Sequence, residues 1–223
     1  SFEPSGRQFE VLIQTANFHY GTLGGIFDDI QFGSKTEIER ESKLAFGGNS
    51  LMMGFYIVSG IYFLLLYLFR KRSPELLFFS CFFMFSLLFW GTHGERLVLL
   101  LLPWLNYEWQ SKLQMLSSIG IYSSSLLFVR AMFPGFDHPR VTKLLLAAAC
   151  AVALITVVTE VQFYSRYEAQ AIGLVGLLFF YGLYILIRAG IAGAFGSIYI
   201  IIGALSILAE SLMQLFEYTG TLQ

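Results

Sequence analysis

Long apolar blocks, separated by short polar or charged stretches, occupy most of the chain. A helix needs about 20 residues to cross the hydrocarbon core of a bilayer, and six blocks have about that length. They lie at residues 49–69, 76–94, 113–133, 141–159, 169–187 and 189–215. The pattern therefore predicts six membrane-spanning helices. A further apolar run at 97–105 is too short to cross and contains Pro103, so we expect it in the membrane interface between the second and third spans.

The first 36 residues have a different pattern. Phe9, Val11 and Ile13 recur at every second position, which is typical of a strand with one buried face. A glycine-rich turn at 20–25 and a second short strand at 26–34 follow. Because two or three strands bury too little apolar surface to be stable alone, residues 1–36 are predicted to be the C-terminal remnant of a β domain.

Residues 37–48 connect this β fragment to the first span. Their charges are mixed, as in the stretch "EIERESK", and the segment is predicted to be helical. Two interpretations stay open: a polar spacer, or a rigid lever that passes movement from the β domain into the first span.

Composition agrees with a membrane protein and excludes some partners. Hydrophobic residues make up 56% of the chain and charged residues 13%, with a mean hydropathy of +0.66. The net charge of −1 provides no excess of basic groups for neutralising phosphates, so nucleic acid is not an expected partner. No Cys or His residues cluster at metal-binding spacing, so neither a metal nor a cofactor is expected.

The distribution of basic residues predicts the orientation, since Lys and Arg favour cytoplasmic loops. An outside N-terminus places seven basic residues in inner loops and three in outer ones. The inner residues are Arg70, Lys71, Arg72, Arg130, Arg140, Lys143 and Arg188, and the outer residues are Arg96, Lys112 and Arg166. Trp90, Trp104 and Trp109 then lie at the outer interface, which indoles prefer. Six crossings bring residue 223 back outside, so an intracellular C-terminal module would require a seventh span, which we expect to be missing here.

Two stretches carry a resemblance to a known family. The segment "IQTANFHYGTLGGI" and the short basic loop "RKRSPE" after the first span are similar to the junction in bacterial seven-transmembrane receptors with diverse intracellular signalling modules. The resemblance implies an extracytoplasmic jelly-roll β-sandwich as sensing domain, a carbohydrate-like ligand bound largely by residues outside this chain, and location in the bacterial cytoplasmic membrane. It also implies an output module such as a histidine kinase or diguanylate cyclase elsewhere in the protein, with no enzyme in residues 1–223.

Three classes of function are compatible with such a bundle. The favoured one is a signal-transduction receptor that relays ligand binding outside to a cytoplasmic output module. The alternative is a transporter or channel subunit, but the span centres contain almost no ionisable residue and no proline, and no internal repeat is evident. An intramembrane hydrolase is disfavoured because no Ser or Asp is paired with a base at membrane depth: His93 and His138 are expected in loops, and His19 precedes the first span.

Glu210, Gln214 and Glu217 recur on one face of the last predicted span, at i, i+4 and i+7. A carboxyl group at membrane depth is costly and is usually turned inward or paired. Glu210 is therefore a candidate relay residue, although a protonated acid in a structural hydrogen bond is an equal alternative.

Ser118, Tyr122 and Ser125 share one face of the third span. They are candidates for lining a small-molecule pocket, while bonding to backbone carbonyls and close packing is the favoured interpretation. Ala189, Gly193 and Ser197 show the small-xxx-small spacing that lets helices approach closely, within the bundle or across a dimer.

His19, in the β fragment, is a candidate ligand contact or pH-sensitive group, with surface packing as the commoner role. A homodimer embedded in the lipid bilayer is the expected assembly.

Overall fold

The structure is a computed structural model that describes residues 33–70, 73–93, 97–98 and 102–218; within the last helix, side chains are described for residues 197–206, 208 and 209. All regular structure in these residues is helical. The helices are α1 (Lys35–Phe69), α2 (Pro74–Thr92), α3 (Tyr107–Met132), α4 (Pro139–Val158), the short α5 (Val161–Tyr164), α6 (Glu168–Ile191) and α7 (Ser197–Tyr218). A 3₁₀ turn, Ser165–Tyr167, joins α5 to α6. The predicted β fragment lies outside the described residues.

Among the described residues, five helical stretches are long and apolar enough to cross a membrane: α1, α2, α3, α4 and the stretch Val161–Ile191, which comprises α5, the 3₁₀ turn and α6. The prediction of a helical, multi-pass membrane bundle is confirmed. The sixth predicted span corresponds to α7, a helix of 22 residues. Its apolar part with described side chains, Ser197–Ser206, is too short to cross alone, so the sixth crossing stays a prediction.

The last helix begins later along the chain than the predicted span. The sequence predicts one helix over 189–215, whereas α6 continues to Ile191 and α7 begins only at Ser197. The intervening turn contains Gly193 and Gly196 at φ values of 72° and 84°, a region of backbone conformation that favours glycine. The small residues at 189, 193 and 197 consequently mark a helix end, a turn and a helix start. They do not form one packing face.

Helix α1 is continuous over 35 residues, which corresponds to about 52 Å at 1.5 Å per residue. Its start is fixed by a capping box: the Glu37 N–H donates to the Ser34 hydroxyl oxygen at 3.4 Å, and the Ser34 N–H donates to the Glu37 carboxylate at 3.0 Å. The Ser34 hydroxyl also donates to the same carboxylate oxygen at 2.7 Å. The two bonds to the carboxylate, with the hydroxyl contributing most, hold the pKa of Glu37 below its usual range. The predicted connector and the first span therefore belong to one helix.

The core of the bundle lies between α3, α4 and α6. Its fully buried members include Leu126 on α3, and Leu178 and Ile185 on α6. α2 packs on α3, α1 packs mainly on α2, and α7 packs mainly on α6. The two outermost helices therefore have one main neighbour each.

The helices alternate in direction, which gives the bundle two ends with different connections. The α2–α3 end carries the start of α1, the α2–α3 connection and the α4–α6 connection; the α3–α4 end carries the α1–α2, α3–α4 and α6–α7 connections. Lipid removes most of the hydrophobic drive for helices to associate, so close packing and interhelical hydrogen bonds decide how such a bundle assembles.

Candidate functional site

Helix α1 joins the bundle at a close crossing with α2. The Ser80 hydroxyl, buried in the interface, donates to the backbone carbonyl of Gly60 at 2.8 Å. Gly60 allows this approach because a Cβ there would collide with the terminal methyl of Met84. Hydroxyl bonds between membrane helices are usually worth about 0.6 kcal/mol, so this hydrogen bond alone stabilises the crossing only modestly.

Three phenylalanines link α1 to α3 through α2, and we call them the aromatic bridge: Phe63, Phe79 and Phe128. The rings of Phe63 and Phe79 lie edge to face with centroids 4.6 Å apart, and those of Phe79 and Phe128 are stacked at 4.7 Å. Both separations lie in the range of favourable aromatic pairs, which contribute about 0.5–1.5 kcal/mol each beyond area burial. Since Phe128 also packs on the core, the bridge connects α1 to the centre of the bundle.

A polar cluster forms at the α2–α3 end, where the first turns of α3 meet the ends of α2 and α4. Its most buried charge is the ammonium of Lys112, whose side chain is 7% exposed. This group lies 2.7 Å from the Glu108 carboxylate, donates to the carbonyl of Val157 at 3.3 Å, and lies 5.2 Å from the centre of the Trp109 ring. Val157 belongs to the last turn of α4, where free carbonyls attract cations.

The end of α2 is bound by two glutamines of the same cluster. The Gln110 side-chain amide donates to the carbonyl of Thr92 at 3.3 Å, and the Gln114 amide lies 2.7 Å from Nδ1 of His93. Together with Lys112, these side chains attach α3 to the ends of both α2 and α4. Any shift of α3 along its axis therefore has to break polar contacts to two helices.

The predicted serine and tyrosine face of α3 is half-buried, and its Tyr122 ring packs edge to face on Phe179 of α6, with centroids 6.1 Å apart. The neighbouring Ser124 is buried and donates to the carbonyl of Gly120 in its own helix at 2.6 Å. The Tyr122 ring thus lies at the contact of α3 with α6, and Ser118 and Ser125 are half-buried on the same face of α3.

The remaining predicted residues are placed only in part. Glu210, Gln214 and Glu217 lie within α7, but their side chains are not among those described. Arg70 is the C-terminal cap residue of α1, and its N–H donates to the Leu66 carbonyl at 2.8 Å. His19, Lys71 and Arg72 lie outside the described residues. The structure does not bring α7 against the serine face, because its main neighbour is α6.

Sequence reasoning missed the role of Lys112, which it counted only as a loop charge. The spacing of Glu108 and Lys112, four residues apart after the helix-capping Asn106, is a signal for an ion pair on the first turns of a helix. The acceptor on Val157 has no such signal, since it lies 45 residues further along the chain.

One comparison with known proteins gives a match. The family described as "7TM diverse intracellular signalling" matches residues 48–223, which cover most of the chain. The chain belongs to this family. As a member of this receptor family it is a multi-pass membrane sensor protein, and the family resemblance inferred from the sequence is confirmed. No curated protein and no solved structure matches the chain.

Proposed function

We propose that this chain is the membrane relay of a receptor, in which ligand binding at an extracytoplasmic domain moves α1 and the bundle passes the change to a cytoplasmic output module. The supporting observation is the geometry of α1. It is one uninterrupted helix from Lys35 to Phe69, and its main contact with the bundle is α2. A movement imposed at its first turn therefore reaches α2 before any other helix.

The aromatic bridge provides the next step of the relay. Phe79 lies between Phe63 on α1 and Phe128 on α3, so a rotation of α1 changes the packing of a ring that α3 also contacts. A ligand can shift this equilibrium only by binding the two arrangements with different affinities, and a tenfold difference corresponds to about 1.4 kcal/mol. That energy is comparable with one aromatic pair.

In this proposal the protein lies in the bacterial cytoplasmic membrane with its N-terminus outside. The α3–α4 end then faces the cytoplasm and the α2–α3 end faces outward. Exposed aromatic side chains at the latter, Trp104 and Trp109 at 76% and 47%, support a membrane interface there. The homodimer and the carbohydrate-like ligand stay predictions of the sequence.

Alanine insertions between Lys43 and Leu44 test the relay, because each inserted residue turns the helix above that point by about 100° relative to the part below. Two alanines rotate it by about 200°, whereas four bring it back to within about 40° of its original phase. We expect the two-residue insertion to change the basal activity of the receptor's output module severalfold and the four-residue insertion to restore it toward the original value.

The four-residue insertion is also the control for length, since it raises the segment above by about 6 Å. An output that follows inserted length, or that ignores both insertions, would contradict relay through a continuous α1. Comparable amounts of each variant in the membrane, measured by immunoblotting, are required for the comparison.

A further inference from the structure

The six-residue connection between α3 and α4, residues 133–138, is held from outside by helix α6. The hydroxyl of Tyr181 lies against the backbone of His138: it accepts a hydrogen bond from the His138 N–H at 2.8 Å and donates one to the His138 carbonyl at 3.3 Å. Two turns further along α6, Arg188 donates to the carbonyl of Phe136 at 3.2 Å. We call these three hydrogen bonds the α6 clamp.

The clamp acts on a helix start that has no cap of its own. His138 is the N-cap residue of α4, yet its side chain caps nothing, and the first turn of α4 contains no acidic residue. The side chains that usually occupy this position accept hydrogen bonds from N–H groups of the first turn. Acidic side chains in the first turn also interact favourably with the partial positive charge at a helix start. Here the His138 carbonyl accepts from the N–H groups of Val141 and Thr142, so the first turn of α4 depends on the position of His138.

Ring packing places Tyr184 in the same contact. Its ring is stacked with those of His138 and Tyr181, with centroids 6.5 and 6.0 Å away, and the Arg188 guanidinium lies 5.7 Å from its centre. Residues 181, 184 and 188 recur at i, i+3 and i+7, so one face of α6 covers the connection.

The same connection is tied to α3. Nε of Arg130 lies 2.9 Å from Oδ2 of Asp137, whose side chain is only 7% exposed. The connection therefore contacts the end of α3 through Asp137 and α6 through its two neighbours in sequence, Phe136 and His138. A shift of α6 relative to α3 cannot preserve both sets of contacts.

We propose that the α6 clamp is a conformational switch in which the position of α6 decides whether the first turn of α4 is formed. Helix shifts of about 1–2 Å are typical of switching proteins. Such a shift away from the connection would stretch all three bonds of the clamp beyond hydrogen-bond distance. It would release His138 and leave the Val141 and Thr142 amides without their acceptor in a fixed place. The use of this switch in signalling rests on the proposed function, whereas the clamping of α4 does not.

Hydrogen–deuterium exchange of the whole chain in lipid nanodiscs tests the clamp. Tyr181→Phe removes both bonds to His138 and retains the ring. We expect the amides of Val141 and Thr142 to exchange about 5- to 30-fold faster, the effect of losing a helix cap, with unchanged exchange in α2. Tyr184→Phe is the matched control, since in the described part of the chain its hydroxyl makes no hydrogen bond, and it should leave exchange unchanged. Equal exchange rates of the Val141 and Thr142 amides in Tyr181→Phe and in the unaltered chain would show that Tyr181 does not hold the first turn of α4.

A second arm tests the coupling. The two-alanine insertion in α1 should speed exchange at Val141 and Thr142 in the unaltered chain and add nothing in Tyr181→Phe, where the clamp is already open. If the insertion changes the activity of the output module but not this exchange, the proposed relay stands and the α6 clamp has no part in it. If it changes neither, the relay itself fails. Arg188→Leu tests the clamp independently, because it removes the bond to Phe136 without altering Tyr181. It should also speed exchange at the amides of Val141 and Thr142.

Discussion

Lys112 shows how a single charge is stabilised at the edge of the apolar region. Its ammonium is almost fully buried, whereas its partner Glu108 is 41% exposed. Removing one member of a buried ion pair destabilises a protein strongly when the other charge is left without a partner and without access to water. Removing Glu108 should therefore destabilise the protein more than removing Lys112, because only the Glu108 carboxylate is accessible to water when its partner is absent.

We predict that Glu108→Ala destabilises the protein more than Lys112→Met does. The first variant leaves the ammonium with one carbonyl and one aromatic ring, and we expect it to cost about 1–3 kcal/mol. The second replaces the long stem by an apolar side chain of similar length and leaves a carboxylate that water reaches. Unfolding of the purified chain in mixed detergent micelles would measure both. An equal cost, or a larger one for Lys112→Met, would contradict the asymmetry.

At the scale of the helices, the α1–α2 crossing depends on the size of the side chain at residue 60. A methyl group at Gly60 meets only the flexible end of Met84, which can move aside. A branched side chain would need more space than the movement of Met84 provides. Substitutions at residue 60 should therefore be tolerated up to the size of alanine.

We predict that Gly60→Ala changes the free energy of unfolding by less than about 1 kcal/mol, whereas Gly60→Ile costs about 1–3 kcal/mol through overpacking. Met84→Ala should recover part of the loss in the double variant Gly60→Ile/Met84→Ala, since it empties the space that the new side chain needs. The same unfolding measurement gives the interaction energy of the two sites. Strictly additive effects would show that Met84 does not limit the approach of α1.

The helices themselves were predictable, but their junctions were not. Apolar length places α1 to α4 and α6 correctly because each long block is bounded by polar or charged residues. The junction between α6 and α7 has no such boundary: Gly193 and Gly196 lie in an unbroken run of apolar and small residues, where a glycine is equally compatible with close packing. The residues of the α6 clamp were hidden for another reason, since Tyr181 acts on the backbone of His138, 43 positions away.

At the scale of the whole molecule, the bundle is asymmetric between its two ends. The α3–α4 end carries exposed basic residues, including Arg140, Lys143 and Arg188, and the α2–α3 end carries the exposed Trp104 and Trp109. The positive-inside rule applied to these residues supports the proposed orientation, in which the α3–α4 end lies in the cytoplasm.

We predict that a membrane-impermeant thiol reagent labels Trp104→Cys in intact cells and labels Arg140→Cys only after permeabilisation. Both variants need a background in which Cys81 and Cys150, two free thiols, are replaced. Both introduced thiols replace exposed residues at opposite ends of the bundle, so accessibility to the reagent reports the side of the membrane. The reverse labelling would invert the orientation and, with it, the direction of the relay.

The crossing with α2 at Gly60 divides α1 into two arms of unequal length. From Gly60 to the first residue of the helix is about 38 Å, and from Gly60 to its last residue about 14 Å. If Gly60 serves as a fulcrum, a sideways displacement of 3 Å at the tip becomes about 1 Å, in the opposite direction, at the far end. In the proposed relay, a lever of these proportions would convert a large displacement at the start of α1 into the small displacements that a close-packed bundle tolerates.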